Sequence, residues 1–278
     1  LEAAYTFTSC WNANEAVFPT LCDPGDLILS DALNHASIID GVRLAAVIRK
    51  GLHKGVYAHS DLGALRGKLE AARSNPEVTG QVWVVTDGVF SMEGDIADLP
   101  GLRALCTEFG AKLVVDDSHG TGVMGATGRG THEHWGLDGS ELDLVTGTLG
   151  KALGGGAGGY MVGSRAMVEL MVQRGRPTLF SNALPATIAC SADKAIELLM
   201  NQPERVTRLR ENTDRARTGI RKIGFEVLES TTAICPIIVH DTAKAIAMSQ
   251  RLLELGVFVI GFGYPVVPEG EARLRVQI

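Results

Sequence analysis

Lys151 stands in the glycine-rich segment LDLVTGTLGKALGGGAGG, which covers residues 142–159. A lysine ammonium among small and apolar residues must be hydrated or paired, because an isolated buried charge is costly. Two interpretations are open for this lysine. It is either a solvated loop residue, or a partly desolvated and reactive amine that forms a Schiff base with a carbonyl. The other polar residues of the chain have to decide between them.

The segment KLVVDDSH, residues 112–119, places polar groups directly after an apolar run that predicts a strand. Asp116 ends this strand and His119 follows it, and ligands bind beyond the carboxyl ends of strands in open α/β sheets. Because Asp116 continues a buried strand, its carboxylate needs a positive or hydrogen-bonding partner. A protonated heterocyclic nitrogen would satisfy it, and so would the backbone of the next turn.

Two more segments come between a predicted strand and a predicted helix. His35 is either a surface or capping histidine, or a flat ring that lies against the face of a flat ligand. Cys10 and Trp11 precede a helix, and the N–H groups at a helix start form a phosphate site. Thr148 precedes the lysine by three residues, so its hydroxyl could reach the same phosphate. Ser181 follows the apolar run PTLF and could add a further hydroxyl.

Together, these groups suit a flat heterocycle that carries a cationic nitrogen, a phosphate and an aldehyde. Lys151 would bind the aldehyde, Asp116 the ring nitrogen and His35 the ring face, while the helix start would bind the phosphate. Such a ligand is pyridoxal phosphate, for which the protein supplies the position and keeps the pyridinium charged as an electron sink.

Other ligand sites are disfavoured. The segment GTGVMG, residues 120–125, matches the dinucleotide pattern G-x-G-x-x-G, but polar, turn-rich sequence follows it where a helix would be needed. His132 and His134 have none of the usual zinc spacings, so they are interpreted as solvated loop histidines and no metal site is predicted.

The chain alternates short apolar runs with amphipathic segments, which predicts an α/β fold with a mostly parallel sheet between helices. The predicted strands are 4–8, 27–30, 81–86, 112–116, 142–148 and 160–163. The predicted helices are 12–21, 36–47, 61–74, 99–109 and 164–173. Ser60 is the expected N-cap of the third of these helices, and Gly110 the expected C-terminal glycine of the fourth.

After Pro185 the pattern changes to two long helices, 187–200 and 204–223, the second rich in arginines that are expected to be solvated or to face another subunit. Strands at 226–228, 235–240, 257–261 and 272–277 and a helix at 242–255 follow. We therefore predict a large cofactor-binding domain over residues 1–222, including the long helices, and a small C-terminal α/β lobe over residues 223–278. The chain begins without Met and ends within a strand, which suggests a fragment of a longer protein.

Composition excludes several classes of function. The net charge is −6, which favours neither nucleic acid nor an anionic membrane as a partner. No apolar run approaches the roughly 20 residues of a membrane helix. The five cysteines are odd in number and widely spaced, as expected of free thiols in a reducing compartment, so we predict a cytoplasmic location, or a mitochondrial one in a eukaryote.

Five segments resemble the α-oxoamine synthases, which are pyridoxal phosphate enzymes of fold type I. The segments are SDALNHASIIDGVRL, TDGVFSMEGDIADLPGL, VVDDSHGTGVMGATGRGTHEH, TGTLGKALGGGAGGY and RPTLFSNALP. The resemblance extends over essentially the whole chain, and its most specific part is DDSH followed by TGTLGKALGG. It implies that the fold has a large domain and a small C-terminal lobe.

The resemblance also implies a role for each candidate residue. Lys151 would be the Schiff-base lysine and Asp116 the partner of the pyridine nitrogen, while His119 would bind the phenolic oxygen of the cofactor. The remaining implied contacts are the ring face for His35, the surroundings of the ring for Ser91, and the phosphate for Cys10, Trp11 and Thr148. Ser181 would reach the phosphate from a neighbouring subunit, which implies a homodimer with shared active sites. Arg275 would bind the substrate carboxylate, and Arg273 is the neighbour with which it could be confused.

The implied reaction condenses glycine with acetyl-CoA to 2-amino-3-oxobutyrate and CoA, a step of threonine and glycine metabolism. One alternative within the family condenses alanine with a longer acyl-CoA. Another alternative is a non-catalytic partner subunit of the same fold, which would be expected to have lost the lysine. Trp11 stands where the family pattern has Phe, and this departure keeps an aromatic ring.

Overall fold

The computed structural model describes all 278 residues and divides into two compact units. The first unit consists of Leu1–Gly88 and Ala97–Gln202, and the second of Val89–Ile96 and Pro203–Ile278. The predicted boundary between residues 222 and 223 differs from this division, which places the second long helix in the second unit. Arg217 on that helix is buried there and donates hydrogen bonds to the carbonyl oxygens of Leu228, Thr232 and Ile234, whereas a solvated or subunit-facing surface was predicted.

The first unit contains a seven-stranded sheet with the strand order β1-β7-β6-β5-β4-β2-β3. Its strands are β1 (Ala3–Phe7), β2 (Leu27–Asp31), β3 (His53–Tyr57), β4 (Val82–Asp87), β5 (Lys112–Asp116), β6 (Leu144–Thr148) and β7 (Gly159–Gly163). Neighbouring strands from β3 to β6 are parallel, and β7 runs antiparallel to β6 and to β1. The predicted α/β class with a mostly parallel sheet is therefore confirmed.

The helices of the first unit are α1 (Cys10–Leu21), α2 (Ala36–Ile48), α3 (Leu62–Ser74), α4 (Leu99–Phe109), α5 (Thr131–His134), α6 (Arg165–Arg174), α7 (Arg176–Phe180) and α8 (Ala186–Asn201). The helices α1 and α2 approach each other closely at Gly41, where a methyl group would lie 2.6 Å from the carbonyl oxygen of Asn14. This glycine therefore lets the two helices that begin nearest the candidate site pack together.

The structure corrects one detail of the predicted elements and confirms another. Asp61, and not Ser60, is the N-cap of α3, since its carboxylate accepts a hydrogen bond of 2.8 Å from the N–H of Ala64. Ser60 has a φ of 54° and donates its N–H to Asp31 instead. Gly110 ends α4 in the left-handed region at φ 68°, as predicted.

The strand β3 was not predicted because its sequence, HKGVY, contains few apolar residues. It lies at the edge of the sheet, where alternate side chains are exposed, so burial does not demand an apolar run. The predicted strand at 226–228 is replaced by a single bridge between Val227 and Ile237.

The second unit is built from α9 (Glu204–Lys222), β8 (Ile234–His240), α10 (Thr242–Glu254), β9 (Ile260–Phe262) and β10 (Ala272–Gln277). Its three strands form an antiparallel sheet with β10 in the centre. Cys235, Ala245 and Leu274 are almost fully buried in its core. Neither this unit nor the first contains a helix that is long and apolar enough to cross a membrane.

Candidate active site

The carboxyl ends of β4, β5 and β6 bring the main polar residues of the first unit together. Asp87 ends β4 and is paired in register with Asp116, which ends β5 and is paired with Thr146 on β6. Both carboxylates are buried, and desolvation together with the charge of Asp116 raises the pKa of Asp87 well above its usual value. Two carboxylates at one sheet edge make this a favourable place for a cationic group.

Both carboxylate oxygens of Asp116 accept hydrogen bonds. Its Oδ2 accepts a hydrogen bond of 2.6 Å from the side-chain amide of Asn14, and its Oδ1 accepts one of 2.9 Å from the N–H of Ser118. The Cys10 thiol lies 3.6 Å from Oδ2. Burial, and after it the charge of Asp116, raises the pKa of Cys10, so the thiol stays protonated and donates to the carboxylate.

Lys151 and His119 meet at the same edge of the sheet. Lys151 follows β6 in a turn, and its Nζ lies 2.9 Å from His119 Nε2. The lysine is exposed, because its glycine-rich turn buries little of it, so the first unit by itself does not provide the desolvation that the sequence suggested. The short Nζ–Nε2 distance nevertheless places an amine and an imidazole where one small ligand could contact both.

His35 is the N-cap of α2 and lies beside the ring of Trp11. The two ring centroids are 6.0 Å apart and the planes meet at 79°. Although part of the His35 side chain is exposed, the protein atoms around its ring lower its pKa by desolvation, and the charge of Asp116 opposes this only in part. A neutral imidazole is therefore favoured, which suits stacking on a flat ring.

The start of α1 and the end of β6 form the predicted phosphate site. Cys10 and Trp11 are the first residues of α1, and the N–H groups of a first helical turn have no acceptor within the helix. The hydroxyl of Thr148 accepts a hydrogen bond of 3.1 Å from the N–H of Gly150. A methyl group on Gly159 would collide with the backbone of Cys10, so the glycine lets α1 start against this loop.

These residues fit pyridoxal phosphate by the chemistry of their donors and acceptors. An amine and an imidazole lie side by side, a buried carboxylate is available for a ring nitrogen, and a helix start with a nearby hydroxyl is available for a phosphate. Ser181 is the exception in the first unit: it follows α7, is exposed, and has no hydrogen bond to this cluster.

The two arginines of β10 have different surroundings within the second unit. Arg273 is 1% exposed and is paired with Glu93 and Glu271, and it also donates to the carbonyl oxygen of Met92. Arg275 makes a hydrogen bond of 3.2 Å to the carbonyl oxygen of Ser91 and lies over the ring of Phe262, but it has no carboxylate partner. Burial lowers the pKa of Arg275. Of the two, Arg275 is therefore the one that can accept a ligand carboxylate.

Asp117 has a structural function that sequence reasoning missed. It is almost fully buried and accepts hydrogen bonds from the N–H and hydroxyl of Thr131 and from the hydroxyl of Thr121. A methyl group on Gly120 or Gly130 would collide with its carboxylate. Asp117 thereby closes the loop that carries His119, and the glycines and threonines of DDSHGTG and GRGT were the signal for it.

We expect Asp117→Asn to weaken the pH dependence of protein stability between about pH 4 and pH 7. Burial raises the pKa of Asp117 to about 7, whereas an aspartate in the unfolded chain loses its proton near pH 4. The folded state therefore binds more protons in this window, so its stability falls as the pH rises. Asparagine has no proton to lose, and its amide can bond both threonines.

The measurement is the free energy of unfolding in urea at pH 5 and pH 8. A pKa raised from 3.8 to about 7 corresponds to at most about 4 kcal/mol over the whole window. As a control, Asp117→Ala also removes the titrating group but leaves the threonine donors without an acceptor. It should lower stability at both pH values by about 1–3 kcal/mol. Equal pH dependence in the wild type and Asp117→Asn would contradict the prediction.

One groove of the first unit is distinct from this cluster. Its volume is about 760 Å³, and it is lined mainly by apolar side chains of β1, β6, β7 and α8, such as Ala4, Val145, Val162 and Ile196. Lys151, Asp116 and His35 do not line it. The residues that could hold the cofactor are therefore at the strand ends and not in the groove, although Asp117 and His132 line part of it.

Comparison with known proteins places the chain among enzymes. A family model described as aminotransferase class I and II matches residues 1–278. The human mitochondrial 2-amino-3-ketobutyrate coenzyme A ligase is 44% identical over 277 residues, which is 100% of this chain and 64% of the human protein. The 8-amino-7-oxononanoate synthase of Symbiobacterium thermophilum is 45% identical over 281 residues, with 100% of this chain and 68% of that protein covered. The chain thus spans just under two thirds of the human relative.

Solved structures of serine palmitoyltransferase have the same fold. The enzyme of Sphingomonas wittichii has a TM-score of 0.91 at 33% identity, and the match covers 100% of this chain and 67% of that one. Another serine palmitoyltransferase structure contains pyridoxal phosphate and has a TM-score of 0.91 at 31% identity, with 99% of this chain and 67% of that one covered.

Proposed function

Because the chain belongs to the aminotransferase class I and II family, we propose that it is part of an enzyme that condenses glycine with acetyl-CoA. The products would be 2-amino-3-oxobutyrate and CoA, as for a glycine C-acetyltransferase, also called 2-amino-3-ketobutyrate coenzyme A ligase. The observation that carries the proposal is the contact of 2.9 Å between Lys151 Nζ and His119 Nε2 at the sheet edge where Asp116 lies. The relatives, which are α-oxoamine synthases, support the same class of reaction.

The cofactor is pyridoxal phosphate, which when bound supplies an electron sink for a carbanion at the α-carbon of the amino acid. Lys151 would hold it covalently through Nζ, and Asp116 would keep a proton on its ring nitrogen. His119 would donate a hydrogen bond to its phenolic oxygen, and His35 would lie on its ring face. The N–H groups at Cys10 and Trp11 and the hydroxyl of Thr148 would bind its phosphate.

Lys151 has a second role in this proposal. Once the amino acid is bound, its Nζ would remove the α-proton as a general base and hold that proton during the condensation. His119 lies within hydrogen-bond distance of the same Nζ, so it would orient the amine and assist the transfer of the acyl group. The exposed glycine-rich turn gives the amine room to move between these positions.

Arg275 would bind the carboxylate of the amino acid. Its guanidinium is partly desolvated and is paired only with a carbonyl oxygen and an aromatic ring, so a carboxylate would gain a charge-assisted contact without displacing another acid. Ser91 contributes its backbone carbonyl to this arginine, and the predicted place of its side chain beside the cofactor ring stays a prediction.

A homodimer with shared active sites is part of the proposal. Ser181 follows α7, whose residues Leu179 and Phe180 are exposed, Phe180 by 80%. Apolar side chains at this level of exposure favour a protein partner. A second copy of the chain bound there would bring Ser181 close to a phosphate site other than its own.

The test is the substrate profile of the full-length enzyme that contains this chain. Steady-state rates are measured for glycine and alanine, each with acetyl-CoA and with a long-chain acyl-CoA. We expect kcat/KM to be highest for glycine with acetyl-CoA, by about tenfold or more. The second candidate is an enzyme of the 8-amino-7-oxononanoate synthase type, because the chain is 45% identical to such a synthase and 44% identical to the human ligase. A preference for alanine and a long acyl-CoA would support this candidate. No cofactor binding at all would support a non-catalytic subunit.

A further inference from the structure

Asn14 on α1 joins groups that come from three other segments of the first unit, namely α2, β5 and β6. It is 4% exposed, and its Nδ2 donates 2.6 Å to Asp116 Oδ2 and 2.9 Å to the hydroxyl of Ser37. Its Oδ1 accepts a hydrogen bond of 2.7 Å from the hydroxyl of Thr146. Both amide protons are therefore used, and the carboxylate fixes the orientation of the amide, because a flipped amide would place two acceptors 2.6 Å apart.

The same network continues to His35. The Ser37 hydroxyl accepts from Asn14, so its one proton is available for His35 Nδ1, which lies 2.7 Å away. The N–H of Ser37 also donates to Nδ1, at 3.3 Å. Because the Ser37 N–H can only donate, Nδ1 is the acceptor in this arrangement, and the ring proton lies on Nε2. An imidazolium would lose the hydrogen bond from the Ser37 N–H and would reverse the one with the Ser37 hydroxyl.

We propose that Asn14 is a positioning residue that orients Asp116 and, through Ser37, the neutral tautomer of His35 as one unit. The inference rests on the proposed functions of Asp116 at the ring nitrogen and of His35 at the ring face. Asn14 itself would not touch the cofactor. Its removal would leave the carboxylate with the Ser118 N–H and the Cys10 thiol as partners, and would leave Ser37 free to turn away from His35.

A purely structural role for a buried asparagine would affect folding alone, so the test measures cofactor binding. Apo protein of Asn14→Leu is titrated with pyridoxal phosphate, followed by fluorescence and by the absorbance of the bound cofactor against pH. We expect the dissociation constant to rise about tenfold to hundredfold, as for the loss of a hydrogen bond to a charged group, with a shifted pH profile. Thr20→Val is the matched control, since Thr20 is also buried on α1 but has no contact with Asp116.

A second cofactor distinguishes a positioning role of Asn14 from a general folding defect of Asn14→Leu. N-methylated pyridoxal 5′-phosphate carries a permanent charge on its ring nitrogen and does not need a carboxylate to keep it charged. If Asn14 acts through Asp116, the activity ratio of wild type to Asn14→Leu should be at least about tenfold smaller with this cofactor than with the natural one. A folding defect would reduce activity equally with both cofactors, and that result would overturn the proposal.

Single hydrogen-bond deletions cover the case in which Asn14→Leu does not fold. Thr146→Val and Ser37→Ala each remove one hydroxyl of the network and should weaken cofactor binding by about twofold to tenfold. Unchanged binding in both would overturn the inference. Asp116→Asn distinguishes a failure of the function proposed for Asn14 from a failure of the function proposed for Asp116. If Asp116→Asn binds pyridoxal phosphate with wild-type affinity and a wild-type pH profile, the proposed function of Asp116 is wrong. If Asp116→Asn is impaired in binding and the Asn14 network variants are not, only the function assigned to Asn14 is wrong.

Discussion

Replacing Lys151 by alanine is expected to lower kcat by at least about four orders of magnitude. The variant loses the amine that holds the cofactor and, with it, the base that removes the α-proton. General-base catalysis alone accounts for about 10²–10⁴-fold in enzymes of many kinds. The loss of covalent attachment lowers kcat further, because the cofactor is then held only by noncovalent contacts beside an exposed turn. His119 remains in place but has no amine to orient.

The measurement combines turnover with the attachment of the cofactor. Wild-type enzyme treated with borohydride should retain the cofactor on the peptide that contains Lys151, as seen by mass spectrometry, and Lys151→Ala should not. Lys194→Ala is the control, since Lys194 is an exposed lysine on α8 whose partner is Glu197. Its loss should change kcat by less than about twofold, because exposed ion pairs contribute little. Near wild-type turnover in Lys151→Ala would remove the lysine from the mechanism.

The part of the fold that the sequence predicts best is the central sheet. The strand β5 has the predicted bounds, because its apolar run ends in the polar residues Asp116 and Asp117. Burial on both faces of a central strand requires such a run. The edge strand β3 is half exposed and carries no comparable signal. The short helices α5 and α7 were missed for a similar reason, since four or five residues are too few to show a helical period.

The residues of the candidate site were predictable where the side-chain type itself indicates the chemistry. Asp116 ends a predicted strand, and Lys151, His119 and His35 each follow one. Because parallel strands end at one edge of a sheet, the proximity of these residues follows from the fold class. The supporting contacts were not predictable in this way. Asn14 and Asp116 are 102 positions apart, and only the packing of α1 against the sheet brings the amide to the carboxylate. The exposure of Lys151 likewise depends on tertiary structure.

The distinction between Arg275 and Arg273 is another result that required the structure. Both lie on β10, two positions apart, and both therefore lie on the same face of the strand by its period of two. Their partners decide their roles: Arg273 is neutralised by two glutamates, while Arg275 has none. The sequence alone had to leave this open, since Glu93 is 180 positions from Arg273.

Replacing Arg275 by alanine is expected to raise the KM for the amino acid about a hundredfold, while the KM for the acyl-CoA changes little. A guanidinium can bind a carboxylate through two parallel hydrogen bonds, each stronger than a neutral one, and alanine offers neither. Arg275→Lys keeps the charge but not the planar fork, so it should fall between alanine and the wild type. The measurement is steady-state kinetics with each substrate varied in turn.

Arg273→Lys gives the opposite pattern and serves as the control. Its guanidinium is buried between Glu93 and Glu271, so a lysine there loses hydrogen bonds that support β10 and should lower the free energy of unfolding. Its KM for the amino acid should stay close to that of the wild type in the fraction that folds. If the amino-acid KM rises with Arg273→Lys and not with Arg275→Ala, the two assignments must be exchanged. Because Arg275 has no carboxylate partner within the protein and Arg273 has two, we expect Arg275 to bind the carboxylate of the amino acid.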